Sequence, residues 1–432
     1  MGVVGQWFFL AFLVIRAKAA QQVPDVHRCR RCKDCQITNS GGSVSNDDIV
    51  LASIPSDASS GSFGPAIFGR RWDLIPSCQQ CQGCSTRLES IKAGFKLYNK
   101  TFALEPPMSS SSTYVFQATT DALPPGQRAV VKVFCVPPSD DPWSLLSAVN
   151  RIQACSARAY KRTQLVLALY HIGQDCGMTD LLPKMWVANV TGVIPTGETS
   201  GRVISWLGLW AQRVQGLSLR SFLSTRQLPP QLVMDTMHHK LNSTQVVLAA
   251  IFDLLTSQRD GHTKNIFIQE DGQIKLIDIE DALGLQWTYW GINSVLIPTT
   301  KRHEATRRLK GRERLTQLLD YRCQLAGSSK ILGTNYPPAV SQCLTKIASK
   351  TVAEVKEYYQ IPNLFQARTL KTRAQDMLTK GFEWTYLYGE PRNYPGAFMH
   401  LRSPPSPPLC CKFEWHEDSG VECSHPPENP SF

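Results

Sequence analysis

The stretch that decides the fold runs from Ser257 to Gly284 and reads SQRDGHTKNIFIQEDGQIKLIDIEDALG. Two short apolar runs flank an Asp-Gly turn at 271–272, which is a strong sequence signal for a β-hairpin. Pairing of the two strands brings Asn265 beside Asp278, and Asp260 faces them across a small gap. Carboxylate and amide oxygens gathered at the end of a hairpin suit a hard cation such as Mg²⁺ and the phosphates that it carries.

The same loop resembles the catalytic loop of protein kinases. Asp260 and Asn265 keep the spacing of that loop, and Asp278 falls where the metal-binding aspartate of D-F-G falls. With His262 in third place, the pattern D-x-H-x-x-N is even more similar to the loops of phosphoinositide kinases and of secretory-pathway kinases of the four-jointed and divergent-kinase-domain type. Asp and Asn are also common in loops because they cap and turn, but the hairpin, the spacing and the apolar flanks together favour a site.

The resemblance implies a role for each of these residues. Asp260 and Asn265 would be catalytic, with Asp260 orienting an acceptor hydroxyl. Asn265 and Asp278 would hold Mg²⁺ or Mn²⁺, and Glu280 is a spare acid that either supplements them or replaces a missing helix glutamate. A position on a solvated face is the expectation for Asp281.

A lysine, Lys132, lies in the middle of the apolar run RAVVKVFC at 128–135. An unpaired ammonium is costly to bury, so a lysine at this place needs an anion unless its side chain reaches solvent. The letters AVVK resemble the V-A-I-K strand of kinases, whose lysine contacts the phosphates of the nucleotide. The resemblance therefore implies that Lys132 binds ATP.

Two departures from the family concern the nucleotide. The glycine-rich loop of kinases is replaced by four serines, which are small enough for close backbone approach to phosphate: Ser109, Ser110, Ser111 and Ser112. The helix expected at 143–162 contains no glutamate to pair with Lys132. Gln153, near the middle of that helix, is the best substitute, although an amide hydrogen-bonds without forming an ion pair.

Composition limits the class of protein. Of the 432 residues, 42% are hydrophobic and 19% are charged, which permits a large core and excludes global disorder. The formal net charge of +11 favours acidic partners such as nucleotides, anionic glycans or acidic peptides. No basic run is interleaved with aromatic residues, so a nucleic-acid partner is not expected.

The amino terminus indicates the secretory pathway. Residues 1–20 have the apolar core and the small-x-small end (Ala17-Lys18-Ala19) of a signal peptide, although no Lys or Arg precedes the core, which leaves an uncleaved anchor open. No later stretch is long enough for a membrane span. Fourteen cysteines fit an oxidising compartment. N-glycans are expected on the sequons at Asn99, Asn189 and Asn242.

The domain organisation follows from shifts in composition. Residues 21–92 form a cysteine-rich module with two C-x-x-C-x-x-C clusters and a flexible linker, and behind a signal peptide disulfides are favoured over zinc. Residues 93–215 are the expected kinase-like amino-terminal lobe, 216–400 the carboxy-terminal lobe, and 401–432 an extended tail rich in Pro and Cys. The predicted strands are 98–104, 113–119, 128–135, 185–193 and 203–212. The predicted helices are 143–162, 244–256, 312–325, 338–350, 351–359 and 369–381.

The sequence therefore predicts an α+β protein with a bilobal protein-kinase-like fold behind a cysteine-rich extension. The resemblance implies transfer of the γ-phosphoryl group of ATP to a hydroxyl of a protein or glycan in the ER or Golgi lumen or outside the cell. The alternative is a secreted pseudokinase that acts as a binding or allosteric module. A third reading, a disulfide-stabilised extracellular ligand-binding protein, leaves the hairpin spacing unexplained.

Overall fold

A computed structural model describes residues 104–107, 115–135, 157–193, 203–283, 292–326, 329–389, 408, 410–417 and 420–425. Within these residues the chain combines helices with antiparallel sheets, which confirms the α+β prediction. Several predicted features lie outside the described residues: the signal peptide, the cysteine-rich module, Asn99, the four serines at 109–112 and Gln153.

A five-stranded antiparallel sheet has the order β1-β2-β3-β5-β4. Its strands are β1 (Leu104–Pro107), β2 (Val115–Thr119), β3 (Arg128–Cys135), β4 (Met185–Val193) and β5 (Val203–Gln212). The last three have the bounds that the sequence predicted. Trp186 and Trp210 face each other across β4 and β5 with ring centroids 6.1 Å apart, and both are fully buried. This pair fixes the register of the two longest strands.

The first strand differs from its prediction. The sequence places a strand at 98–104 and a turn at the two prolines, whereas β1 begins at Leu104 and ends at Pro107. The sheet order explains why prolines are accepted here, because β1 is an edge strand whose solvent side needs no N–H donor.

The first described helix, α1 (Ala157–Asp175), overlaps the end of the helix predicted at 143–162 and continues beyond it, while residues 143–156 lie outside the described residues. Residues 163–170 (TQLVLALY) are all buried, including the polar Thr163 and Gln164, so this part of the helix has no exposed face. The helix contacts the sheet on one side. Just after its carboxy-terminal end, Cys176 forms a disulfide with Cys343.

The rest of the chain is mainly helical. The helices are α2 (Leu219–Ser224), α3 (Pro230–Asp235), α4 (Ser243–Leu255), α5 (Lys301–Thr306), α6 (Pro338–Ser349), α7 (Val352–Tyr359), α8 (Leu364–Lys380) and α9 (Phe382–Tyr388). A π-helical turn, Thr236–Lys240, continues α3. The predicted helices 244–256, 338–350, 351–359 and 369–381 are confirmed as α4, α6, α7 and α8, with α8 beginning earlier.

The predicted hairpin is present next to α4. Strands β7 (Ile266–Ile268) and β8 (Ile274–Leu276) pair antiparallel, and β6 (Leu217–Ser218) adds to β7. At the turn, Gly272 has φ +83°, and a Cβ there would lie 1.9 Å from the carbonyl oxygen of Lys240. Only glycine fits this position, because the turn is pressed against the π-helical turn before α4.

Two carboxy-terminal predictions are wrong. The segment predicted as one helix at 312–325 consists of two 3-10 helices, Gly311–Leu319 and Tyr321–Gln324. The tail predicted as extended contains a hairpin of β9 (Lys412–His416) and β10 (Gly420–His425). The hairpin folds back on the 3-10 segment, where Arg312 lies over the ring of Trp415 at 5.4 Å.

Three disulfides are present among the described residues: Cys176–Cys343, Cys323–Cys410 and Cys411–Cys423. The first joins the end of α1 to α6, and the other two fasten the terminal hairpin. Disulfides of this kind fit an oxidising compartment. No helix among the described residues is long and apolar enough to cross a membrane.

We expect the disulfide between α1 and α6 to contribute more stability than the one within the terminal hairpin. Its cysteines are separated by 167 residues, against 12 for Cys411–Cys423. Loop-closure entropy grows with the length of the closed loop, so replacing Cys176 and Cys343 together by Ala should cost about 5 kcal/mol of unfolding free energy. Replacing Cys411 and Cys423 should cost about 2 kcal/mol less than that.

Urea denaturation of the two double variants measures both losses. Equal losses would show that the length of the closed loop does not set the contribution of these disulfides.

Candidate functional site

The site is built where β3 meets the end of the β7–β8 hairpin. Lys132 occupies the interior of β3, opposite Leu209 of β5. Its Nζ donates hydrogen bonds to Asp278 Oδ1 at 2.7 Å and to Glu280 Oε1 at 3.1 Å. The anion that a lysine in this apolar strand requires is therefore supplied by residues almost 150 positions later in the chain.

Burial and neighbouring charges shift the pKa of Lys132 in opposite directions. Burial alone would lower the pKa of Lys132, but the carboxylates of Glu280 and Asp278 outweigh it and raise that pKa above its ordinary value. Partial burial would raise the pKa of Asp278, and Lys132 reverses this, so that pKa is lowered. Both partners are therefore ionised at neutral pH.

Glu280 is the glutamate partner of Lys132, for which the predicted helix contains no candidate. Its side chain is 14% exposed and also accepts a hydrogen bond from Arg162 Nη2 of α1. The prediction from sequence was that Glu280 either supplements the metal site or replaces the missing helix glutamate. In the structure Glu280 is the glutamate that pairs with Lys132, and α1 contributes an arginine to the same group.

The strand pairing explains how Asp278 reaches Lys132. The Ile277 N–H donates to the carbonyl of Asn265 at 2.9 Å, so Asp278 directly follows the last backbone contact of the hairpin. Asp278 has φ +53°, a left-handed conformation that costs a residue other than glycine roughly 1 kcal/mol. In this conformation the Asp278 carboxylate contacts Lys132 of β3.

The loop before the hairpin brings together the other predicted residues. Asn265 is buried, and its Nδ2 donates to the carbonyl oxygen of Asp260 at 3.0 Å and to Asp260 Oδ2 at 3.4 Å. His262 Nε2 lies 3.6 Å from Asp260 Oδ1. Asp260, His262 and Asn265 therefore form one cluster, as the sequence predicted.

Sequence reasoning missed two residues that hold Asp260. Arg302 of α5 donates from Nη2 to Asp260 Oδ1 at 2.6 Å. Gln258 is buried, and its Oε1 accepts the backbone N–H groups of Arg259 and Asp260, while its Nε2 donates to the carbonyl of Ile279. Gln258 directly precedes the loop and was visible in the quoted stretch, whereas no motif marks Arg302.

Backbone contacts with the segment before α5 also hold the loop that carries Asp260. Gly261 forms a parallel bridge with Ser294, and the Val295 N–H donates to the Gly261 carbonyl at 2.9 Å. A Cβ on Gly261 would lie 2.8 Å from Asp253 Oδ2 and from Ser294 Cβ. The glycine is therefore required by close packing between α4 and the segment that leads to α5.

The acid behind this glycine is fully buried. Asp253 of α4 is 3% exposed, and burial raises its pKa to about 7 although a hydrogen bond from Ser294 acts in the opposite direction. Asp281 shows the contrast, since its carboxylate is 45% exposed and pairs with Arg259 at 3.2 Å. Asp281 therefore lies on the solvated side, as the sequence indicated.

The predicted metal ligands fit a hard cation by their chemistry. Asp278 and Glu280 offer carboxylate oxygens and Asn265 an amide oxygen, which suit Mg²⁺ when phosphates and water supply the remaining ligands. Among the residues that the structure describes, no group of three or more His, Cys, Asp or Glu side chains could hold a metal ion by itself.

The remaining predicted positions differ in what the structure says of them. Ser109, Ser110, Ser111, Ser112 and Gln153 lie outside the described residues, so their contacts with ATP stay predictions. Asn189 lies within β4, and the side chain of Asn242 caps α4 by accepting the Gln245 N–H. Glycans at these two sequons also stay predictions.

Comparison with known proteins returns no match, either to a protein-family model or to a curated protein.

We expect Asp253→Asn to stabilise the protein increasingly as the pH rises. The pKa of Asp253 is about 7 in the folded state and 3.8 ordinarily. Between these pH values only the folded wild type holds the proton, so its stability falls as the pH rises from about 3.8 to about 7. Asparagine cannot ionise and escapes this loss. The free energy of unfolding of the variant relative to wild type should be about 2–3 kcal/mol more favourable at pH 8 than at pH 5.

Urea denaturation of both proteins at the two pH values measures this difference. A difference that is independent of pH would contradict an Asp253 that is protonated in the folded state.

Proposed function

We propose that this chain is a secretory-pathway phosphotransferase with a bilobal protein-kinase-like fold, which transfers the γ-phosphoryl group of ATP to a hydroxyl of a protein or glycan. The observation that carries the proposal is the contact between Lys132 of the five-stranded sheet and Asp278 of the hairpin. Two parts of the chain that resemble different kinase motifs, and are far apart in sequence, converge at one point. The sheet would be the small lobe, and the helices from α2 onward the large lobe.

The chemistry follows from the charges that converge. A nucleotide's phosphates would lie beside Lys132, and Asp278 and Asn265 would hold Mg²⁺ or Mn²⁺, which neutralises charge on the phosphates when bound. Asp260 would accept a hydrogen bond from the acceptor hydroxyl and orient its oxygen toward the γ-phosphorus. Asn265 holds Asp260 through both its backbone carbonyl and its carboxylate, which limits the positions that the carboxylate can take.

The three-way contact at Glu280 supports a site that works without a helix glutamate. In kinases that glutamate positions the strand lysine. Here Glu280 does so from the segment after Asp278, and Arg162 ties Glu280 to α1. The Cys176–Cys343 disulfide beyond the end of α1 limits movement of that helix and helps to preserve the arrangement.

A pseudokinase is the second candidate, and one observation favours it. Each carboxylate of the site already has a cationic partner: Asp260 pairs with Arg302, and Asp278 and Glu280 pair with Lys132. A site whose charges are satisfied internally needs no nucleotide to fold. In this case the chain would serve as a secreted binding or allosteric module.

Nucleotide binding and turnover separate the two candidates. We expect Mg²⁺-ATP at about one hundred times its Kd to stabilise the full chain by about 2.7 kcal/mol. Asp278→Ala should remove this stabilisation because it removes a metal ligand. Asp260→Ala should keep it and should lower turnover of labelled ATP by about 10²- to 10⁴-fold.

Asp281→Ala is the matched control, since it removes a neighbouring acid that faces solvent, and it should retain both properties. Equal stabilisation of the wild type and the Asp278 variant would refute the proposed function. Nucleotide binding that depends on Asp278, without turnover in the presence of Mg²⁺ or Mn²⁺, would identify the pseudokinase.

A further inference from the structure

Arg302 is the cation of the site that the proposed roles do not use. Lys132 and Arg162 both contact Glu280, at the nucleotide end of the site. Arg302 contacts Asp260 instead, at the residue that would orient the acceptor. The site thus has cationic groups at both ends of the path along which a phosphoryl group would move.

The position of Arg302 is fixed by the backbone around it. Thr300 caps α5 by accepting the His303 N–H at 3.1 Å, and the Arg302 N–H donates to Asn293 Oδ1 at 3.1 Å. The Asn293 carbonyl in turn accepts the Gly261 N–H at 3.2 Å. The backbones of Arg302 and of the loop that carries Asp260 are therefore joined by one connected set of hydrogen bonds.

The guanidinium of Arg302 has N–H groups that do not bind Asp260. Its Nη2 binds Asp260, while its buried Nε has no acceptor among the described residues. The side chain is 30% exposed, so an incoming group can reach it. The guanidinium carries further N–H groups besides the one that binds Asp260, and an anionic oxygen beside Asp260 would accept a hydrogen bond from them.

Resting on the proposed function, we infer that Arg302 is a further catalytic residue, which binds the oxygens of the phosphoryl group during transfer. The acceptor hydroxyl oxygen forms a bond to the γ-phosphorus. The bond from that phosphorus to the β–γ bridging oxygen breaks, and its electron pair stays on ADP. The hydroxyl proton passes to the Asp260 carboxylate, so the products are ADP and a phosphomonoester.

Charge explains why this step needs Arg302. The phosphoryl oxygens carry negative charge as they approach Asp260, whose carboxylate repels them. The planar guanidinium binds Asp260 with one nitrogen and offers others to phosphate oxygens, a geometry that lysine lacks. Donors held in place before the reaction stabilise the charge of the transition state without further rearrangement.

The test compares nucleotides that differ only in the γ-phosphate. Calorimetry on the full chain with Mg²⁺ measures the Kd of ADP and of adenylyl-imidodiphosphate for wild type, Arg302→Gln, Arg302→Lys and Arg308→Gln. Arg308 is an exposed arginine just beyond α5 and serves as the matched control. Thermal unfolding of each variant verifies that it is folded.

We expect Arg302→Gln to weaken adenylyl-imidodiphosphate about tenfold and ADP by less than about twofold, since a charged hydrogen bond to the γ-phosphate is lost. Turnover should fall about 10²-fold. Arg302→Lys should fall between wild type and Arg302→Gln in both measurements, and Arg308→Gln should match wild type.

Three outcomes overturn the inference while leaving the proposed function intact: equal weakening of both nucleotides, no weakening of either, or faster turnover by Arg302→Gln, which would make Arg302 a group that blocks Asp260. A wild type that binds neither nucleotide refutes the proposed function itself. If Arg302→Gln fails to fold, Arg302→Lys decides by the same comparison of the two affinities.

Discussion

The ion pair between Lys132 and Asp278 is the constraint on which the site depends. A lysine inside an apolar strand needs an anion unless its side chain reaches solvent, and here the anion is Asp278, which directly follows the β7–β8 hairpin. Glu280 adds a second carboxylate, and Arg162 balances the charge from α1. The sheet, the hairpin and the helix are therefore joined at one charged group, and that group lies where phosphate chemistry is proposed.

A second constraint is the tight packing behind the Asp260 loop. α4 is buried on nearly all sides and presents Asp253 to Gly261 and Ser294. The same segment from 293 to 302 carries the backbone contacts to the loop and ends at Arg302. The position of Asp260 is thus set by three residues: Asn265 just before β7, Gln258 just before the loop, and Arg302 of α5.

Sequence patterns predicted the elements whose local signal is strong. The strands β3, β4 and β5 have β-branched and aromatic runs bounded by turns, and the hairpin has an Asp-Gly turn between apolar runs. The secondary-structure prediction failed where residues that are typical of loops form strands. The prolines of β1 and the cysteines beside and within the terminal hairpin are residues that are typical of loops. Their structure depends on an edge position in the sheet and on the disulfides Cys323–Cys410 and Cys411–Cys423.

The cluster of Asp260, His262 and Asn265 was predictable from local sequence, because the three residues lie on one short loop at the end of a hairpin. The sequence also predicted an anion for Lys132 unless that side chain reached solvent, since burying an unpaired ammonium is costly. Only the tertiary structure decided which anions these are and that Arg302 binds Asp260. Those contacts join residues that are 42 to 148 positions apart. No local pattern encodes such a pairing, because it exists only after the sheet and the helices have packed together.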